Sequence, residues 1–325
     1  MHTPFDPDWL DRRIKERTDQ RLADRLRNRD PNVVSIDATQ FARQLSDLSM
    51  TLMHKVEREA PQNVPPSLVV DTGVILRQLN ETYNLILFVN AEDTRFRQPG
   101  YRLPYSFVIL PLVRTMIDGF YNCTALLDDP SRCRTFRISG YYRVRETLLA
   151  DEAAHGHDAN WTSYLQATRT RLENGLRAES LTHADLDNKR NKWPLLGAYL
   201  ESTPDTAHKQ MLRKLTLGFW KEYSSISHAS FDGLASMVPF ICPDKVKHDE
   251  RELFDDVADR HIAMHIGRTA GVLLCLLTDI QHFFKFDGAD IDGRLSKIWA
   301  AIIPMLEVRE LFDFRYKDLL KHPLP

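Results

Sequence analysis

Across most of this chain the apolar side chains return every three or four residues. That period puts them on one face of a helix, whereas a half-buried strand needs a period of two. Phe41, Leu45, Leu48 and Leu52 share a face within Thr39–Glu59. Ile75, Leu79, Tyr83, Ile86 and Leu87 do the same within Leu68–Asn90. The pattern then predicts helices over Phe107–Leu127, Ser139–Ala154, Asn160–Arg177, Ala207–Leu234, Asp255–Phe284 and Leu295–Leu320, the last bent at Pro304. Residues 178–206 are the least regular part, with short turns around Pro194–Glu201. The chain has only 13 glycines, and no series of short strands recurs between turn signals, which argues against a sandwich or a barrel. The expected class is all-α, a multi-helix bundle.

Three prolines in Ala60–Pro66 mark a boundary. They separate a charged N-terminal helical extension, residues 1–60, from a helical bundle domain, residues 67–321. In the extension Arg13, Arg17, Arg21, Arg25 and Arg29 repeat every four residues and form one slowly spiralling ridge. Asp11, Glu16, Asp19, Asp24 and Asp30 lie among or near them, so a solvated helix with mixed i, i+4 pairs is one reading. The other is a docking ridge for RNA or for an acidic protein partner. Five phosphate contacts would give a log–log salt slope of about −4. No aromatic residue lies between Trp9 and Phe41, so the ridge offers no base stacking.

A formal net charge of −2 gives no global attraction to nucleic acid or to anionic lipid. Cys123, Cys133, Cys242 and Cys275 show no CxxC or finger spacing, and they read as reduced thiols of a cytoplasmic protein. Met1–Trp9 has no apolar core, so no signal peptide is expected. The longest apolar runs, Phe107–Val113 and Ala270–Leu277, fall well short of the roughly 20 residues that cross a bilayer, so no membrane partner is expected. His261 and His265 are spaced to present two imidazoles to one metal, but the HExxH order is missing. A di-iron bundle would need Glu-x-x-His pairs from several helices, which the chain does not supply. No metal and no cofactor is expected.

Two polar clusters interrupt helices that are otherwise apolar. Arg114 and Asp118 lie within Phe107–Leu127; Tyr223, Ser224, Ser227 and His228 lie within Met211–Leu234. An unpaired buried polar atom costs roughly 1–3 kcal/mol, so such groups need partners. Arg114 sits one turn from Asp118, among Leu110, Ile117 and Tyr121. A guanidinium has five donors, more than one carboxylate satisfies, and Tyr223, Ser227 and His228 are the expected partners. One reading is a buried network that fixes helix register. The other is a pocket in which His228 moves a proton and Arg114 holds an anion.

The segment Val113-Arg114-Thr115-Met116-Ile117-Asp118, continuing to Leu126-Leu127-Asp128-Asp129-Pro130, resembles the signature helix of a family of uncharacterised bacterial all-helical proteins. Lys189-Arg190-Asn191-Lys192-Trp193 and the order Tyr223, Ser227, His228 are also similar to that family, and the resemblance spans roughly residues 70–285. The helical arrangement of that family is in turn similar to the HEPN superfamily (higher eukaryotes and prokaryotes nucleotide-binding). Active HEPN members are metal-independent ribonucleases that use an Arg-x4–6-His motif. The resemblance implies a ribonuclease or a toxin/defence effector, and a homodimer, because that superfamily builds its site across two protomers. Three matches to the motif occur, at Arg177–His183, Arg260–His265 and Arg315–His322, about the number this composition yields by chance. Of these, Arg260–His265 lies in a strong helix. There the resemblance assigns His265 general acid/base work and Arg260 the stabilisation of phosphate charge. The alternative is a non-catalytic helical module that binds protein or nucleic acid, with a structural polar centre.

Overall fold

In a computed structural model of the chain the described residues are 39–92, 109–188, 191–216, 221–227, 251–287 and 289–320. The ridge Arg13, Arg17, Arg21, Arg25 and Arg29 lies outside them, as do His228 and the side chain of Arg260. Twelve α-helices and no strand occur among the described residues, so the fold is an all-α multi-helix bundle. The helices are α1 Thr39–Glu59, α2 Pro66–Glu92, α3 Ile109–Asp128, α4 Cys133–His155, α5 Thr162–Ala178 and α6 His183–Asp187. They continue as α7 Leu196–Glu201, α8 Ala207–Leu215, α9 Lys221–Ser227, α10 Arg251–Phe284, α11 Ala289–Ile302 and α12 Leu306–Phe314. No helix among the described residues is long and apolar enough to cross a membrane.

The fold is organised around α10. Every residue from His265 to Gln281 is buried, because the run Ala270–Leu277 presents apolar side chains around the whole circumference. α1, α2, α3, α11 and α12 pack around it. α1 directs Leu45, Leu48, Leu52 and Val56 inward and leaves Arg43, Asp47 and Glu57 in solvent. The proline-rich segment after α1 is a turn, with Val64 N–H donating to the Pro61 carbonyl, and Pro66 opens α2, where a missing N–H costs nothing. Ser46 lies beside Asn80 and Asn84, and Glu57 beside Gly73, so α1 and α2 run antiparallel. Leu45, Leu48, Leu52 and Val56 therefore belong to one apolar core with the helices that follow.

A second, smaller core joins α4, α5 and α6 through Ile138, Leu148, Leu165, Leu172, Leu176, Leu181 and Leu186. Arg137 ties it to α2 by a forked pair with Asp71 and a bond to the Ser67 carbonyl, and it also pairs with Glu179 at the end of α5. Burial pushes the Asp71 carboxyl upward, against the pull of Arg137. Trp193 fastens the irregular segment to α3 and α4: its indole donates to Asn122, and its backbone N–H donates to Ser139. The helix expected over Leu295–Leu320 is two helices, α11 and α12. Pro304 sits between them, where it lacks an N–H and its ring obstructs the preceding turn. Trp299 closes this end under Phe312 and Tyr316, donating to Thr278 at 3.0 Å.

Candidate functional site

α3 packs against both α9 and α10, which brings the two polar clusters and the Arg260–His265 helix into one neighbourhood. The closest polar contact joins Tyr223 on α9 to His265 on α10, with the phenol oxygen 2.5 Å from Nδ1. The rings meet edge to face, with centroids 5.3 Å apart. Either the phenol donates to an unprotonated Nδ1, or Nδ1–H donates to the phenol oxygen. In both cases the contact is sealed, with Tyr223 0% and His265 1% exposed. Residues assigned from sequence to two separate sites thus meet in one pair.

The other members of the expected centre are arranged less tightly. Arg114 Nη1 pairs with Asp118 Oδ1 on its own helix, but the Asp118 side chain is 48% exposed. That pair sits at the edge of the core rather than inside it. The Ser227 hydroxyl donates to the Tyr223 carbonyl at 2.8 Å, a bond within its own helix. Its capacity as a donor is spent there rather than on Arg114.

A larger constellation, not singled out by sequence, lies at the far end of α3. Asp128 Oδ2 accepts from the Tyr199 hydroxyl at 2.6 Å and from Thr206 at 3.0 Å, while Oδ1 lies 3.1 Å from His208 Nδ1. The other ring nitrogen, His208 Nε2, lies 2.8 Å from Arg315 Nη2. Arginine only donates, so Nε2 accepts and Nδ1 carries the proton given to Asp128. Arg315 also donates twice to Asp279 Oδ1, at 3.1 and 2.8 Å, and Tyr316 donates to Oδ2 at 3.2 Å. The Asp279 side chain is fully buried and that of Arg315 nearly so. Burial alone would raise the Asp128 carboxyl, but the bonds from His208, Tyr199 and Thr206 outweigh it and hold the group at about 2. Burial also pushes the Cys275 and Tyr316 acids upward. The network clamps α3, α8, α10 and the C-terminal turn together.

One signal for it was readable: Thr278 and Asp279 stand alone at the end of a long apolar run. Its partners are not local, since His208 lies 80 positions from Asp128 and 107 from Arg315. Two concavities lie away from this network. A shallow furrow of about 780 Å³ follows α5 past Thr162, Gln166, Thr170 and Asn174, and a cleft of about 120 Å³ lies between Arg134, Arg137 and Glu179. No group of three or more His, Cys, Asp or Glu side chains placed to hold a metal ion occurs among the described residues. Comparison of the chain with protein-family models, with curated proteins and with solved structures finds no match.

Proposed function

We propose that this protein is a non-catalytic helical module that binds a protein or nucleic-acid partner, and that its polar centre is structural. The observation that carries this reading is the Tyr223–His265 pair. A general acid/base must reach the proton it moves, and His265 is 1% exposed with Nδ1 already engaged. The pair instead fixes the register of α9 against α10, as buried polar networks do.

A second reading, metal-independent RNA cleavage of the HEPN kind, draws on one observation. Tyr223 and His265, each placed in a candidate centre from sequence, are in direct contact. In that reading α9 lifts away, and His265 becomes the acid/base beside Arg260.

The test is cleavage of single-stranded and structured RNA by the purified protein in EDTA, beside Tyr223→Phe and His265→Ala. The module reading expects no cleavage by the wild type and a loss of stability in both variants. Cleavage by the wild type that disappears in His265→Ala, at a temperature where that variant stays folded, refutes it and establishes the second.

A further inference from the structure

The helix α2 is apolar on two opposite faces. One buries Leu68, Ile75, Leu76, Leu79, Tyr83 and Ile86 in the main core. The other exposes Val70, Val74, Leu85 and Phe88, which are between 46% and 62% accessible. At about 100° per residue, these four fall with Arg77 and Glu81 inside an arc of about 80°. The six side chains form a stripe about 27 Å long. Scattered exposed hydrophobics need no explanation, but four large ones aligned on one helix face form a patch of the kind that marks an interaction surface. Arg77 and Glu81, in the middle of the stripe, are exposed and form no ion pair within the described residues.

The order of residues along the stripe reads nearly the same from either end. Val70 and Phe88 lie nine positions either side of Leu79, Val74 and Leu85 five and six, and Arg77 and Glu81 two. We propose that the outer face of α2 is a contact between two copies of this chain, with the two α2 helices antiparallel across a two-fold axis at the level of Leu79. In that arrangement Val70 packs on the partner's Phe88, Val74 on the partner's Leu85, and Arg77 faces the partner's Glu81 twice by symmetry. A two-fold contact must be self-complementary in this sense. A parallel pairing would set Arg77 against the partner's Arg77 and Glu81 against the partner's Glu81, and like charges facing each other disfavour it. The stripe is narrower than a standard interface of about 800 Å² per partner, so a concentration-dependent monomer–dimer equilibrium is expected. The proposal stands apart from whether the protein cleaves RNA.

The experiment is sedimentation velocity of the full chain over a concentration series. The wild type is expected to dimerise. Arg77→Glu and Glu81→Arg are each expected to raise the dissociation constant by roughly tenfold or more, because symmetry turns both charge pairs repulsive at once. Mixing the two single variants is expected to restore a dimer, since each then offers the charge the other lacks, and R77E/E81R is expected to dimerise alone. Phe88→Glu is expected to abolish the dimer without rescue by any of these. All the substituted side chains are exposed, so unchanged melting temperatures serve as the folding control. A wild type that stays monomeric throughout overturns the proposal and leaves the face to another partner. A dimer indifferent to Arg77→Glu, or single variants that fail to recover on mixing, overturns it as well.

Discussion

Replacing Tyr223 by phenylalanine removes one oxygen atom from the core and leaves the ring in place. The hydroxyl lies 2.5 Å from His265 Nδ1, and neither side chain is more than 1% exposed, so water cannot substitute for it. A buried hydrogen bond contributes about 1 kcal/mol net, and losing one partner of a buried polar pair adds a desolvation cost of about 1–2 kcal/mol. Tyr223→Phe is therefore expected to lower stability by about 2–3 kcal/mol. His265→Leu, which removes the same bond from the other side, is expected to cost a similar amount. The double variant removes both polar groups and should cost clearly less than the sum, with a coupling of about 1–2 kcal/mol. Urea unfolding followed by circular dichroism measures all four proteins, with m-values compared to confirm that the transition stays of one kind. A cost below about 0.5 kcal/mol for Tyr223→Phe, or strict additivity in the cycle, would refute the account of this pair as a structural lock.

Three further outcomes follow from the remaining networks. The Asp128 carboxyl is held at about 2, below its ordinary value of 3.8, so its contribution is complete above about pH 4 and is lost as pH falls through about 2. With its side chain only 9% exposed, the wild type should lose about 2 kcal/mol more than Asp128→Asn between those limits in acid titrations of the urea midpoint; parallel curves would contradict this. Arg137→Met leaves Asp71 and Glu179 facing one another and is expected to cost about 2–3 kcal/mol in thermal melts. Arg137→Lys should recover less than half, because an ammonium cannot fork onto Asp71; full recovery would be the contrary result. Arg114→Ala, whose partner Asp118 is half exposed, should cost about 1 kcal/mol or less in the same melts, and a loss above about 3 kcal/mol would place the pair inside the core after all.

The helices were legible because their evidence is local. The face Leu45, Leu48, Leu52 and Val56 is visible within three turns of sequence, as is the uninterrupted apolar run of α10. Two of the polar residues were legible one at a time: Tyr223 stands inside an apolar helix, and His265 stands at motif spacing from Arg260. Their pairing was not, because nothing local relates residues 42 positions apart. The Asp128, His208, Arg315 and Asp279 network was missed for the same reason, since each member stands alone in its own segment and only packing assembles them. The break at Pro304 shows a different limit. A proline can kink a helix or end it, and the choice depends on whether Trp299 needs Phe312 and Tyr316 folded back over it, which is a tertiary demand.

The central position of α10 carries a consequence for biosynthesis. α1, α2 and α3 pack on one another and are made early, yet part of each helix's apolar face lies against α10, and the bond from Arg294 to Thr51 spans 243 positions. The part of these apolar faces that meets α10 and α11 therefore has no final partner until residues 251–302 have left the ribosome. Contacts so distant in sequence slow folding, and the exposed faces invite association in the meantime. A nascent chain arrested before α10 should consequently be retained by holdase chaperones, while release should coincide with the arrival of the one helix around which the others close.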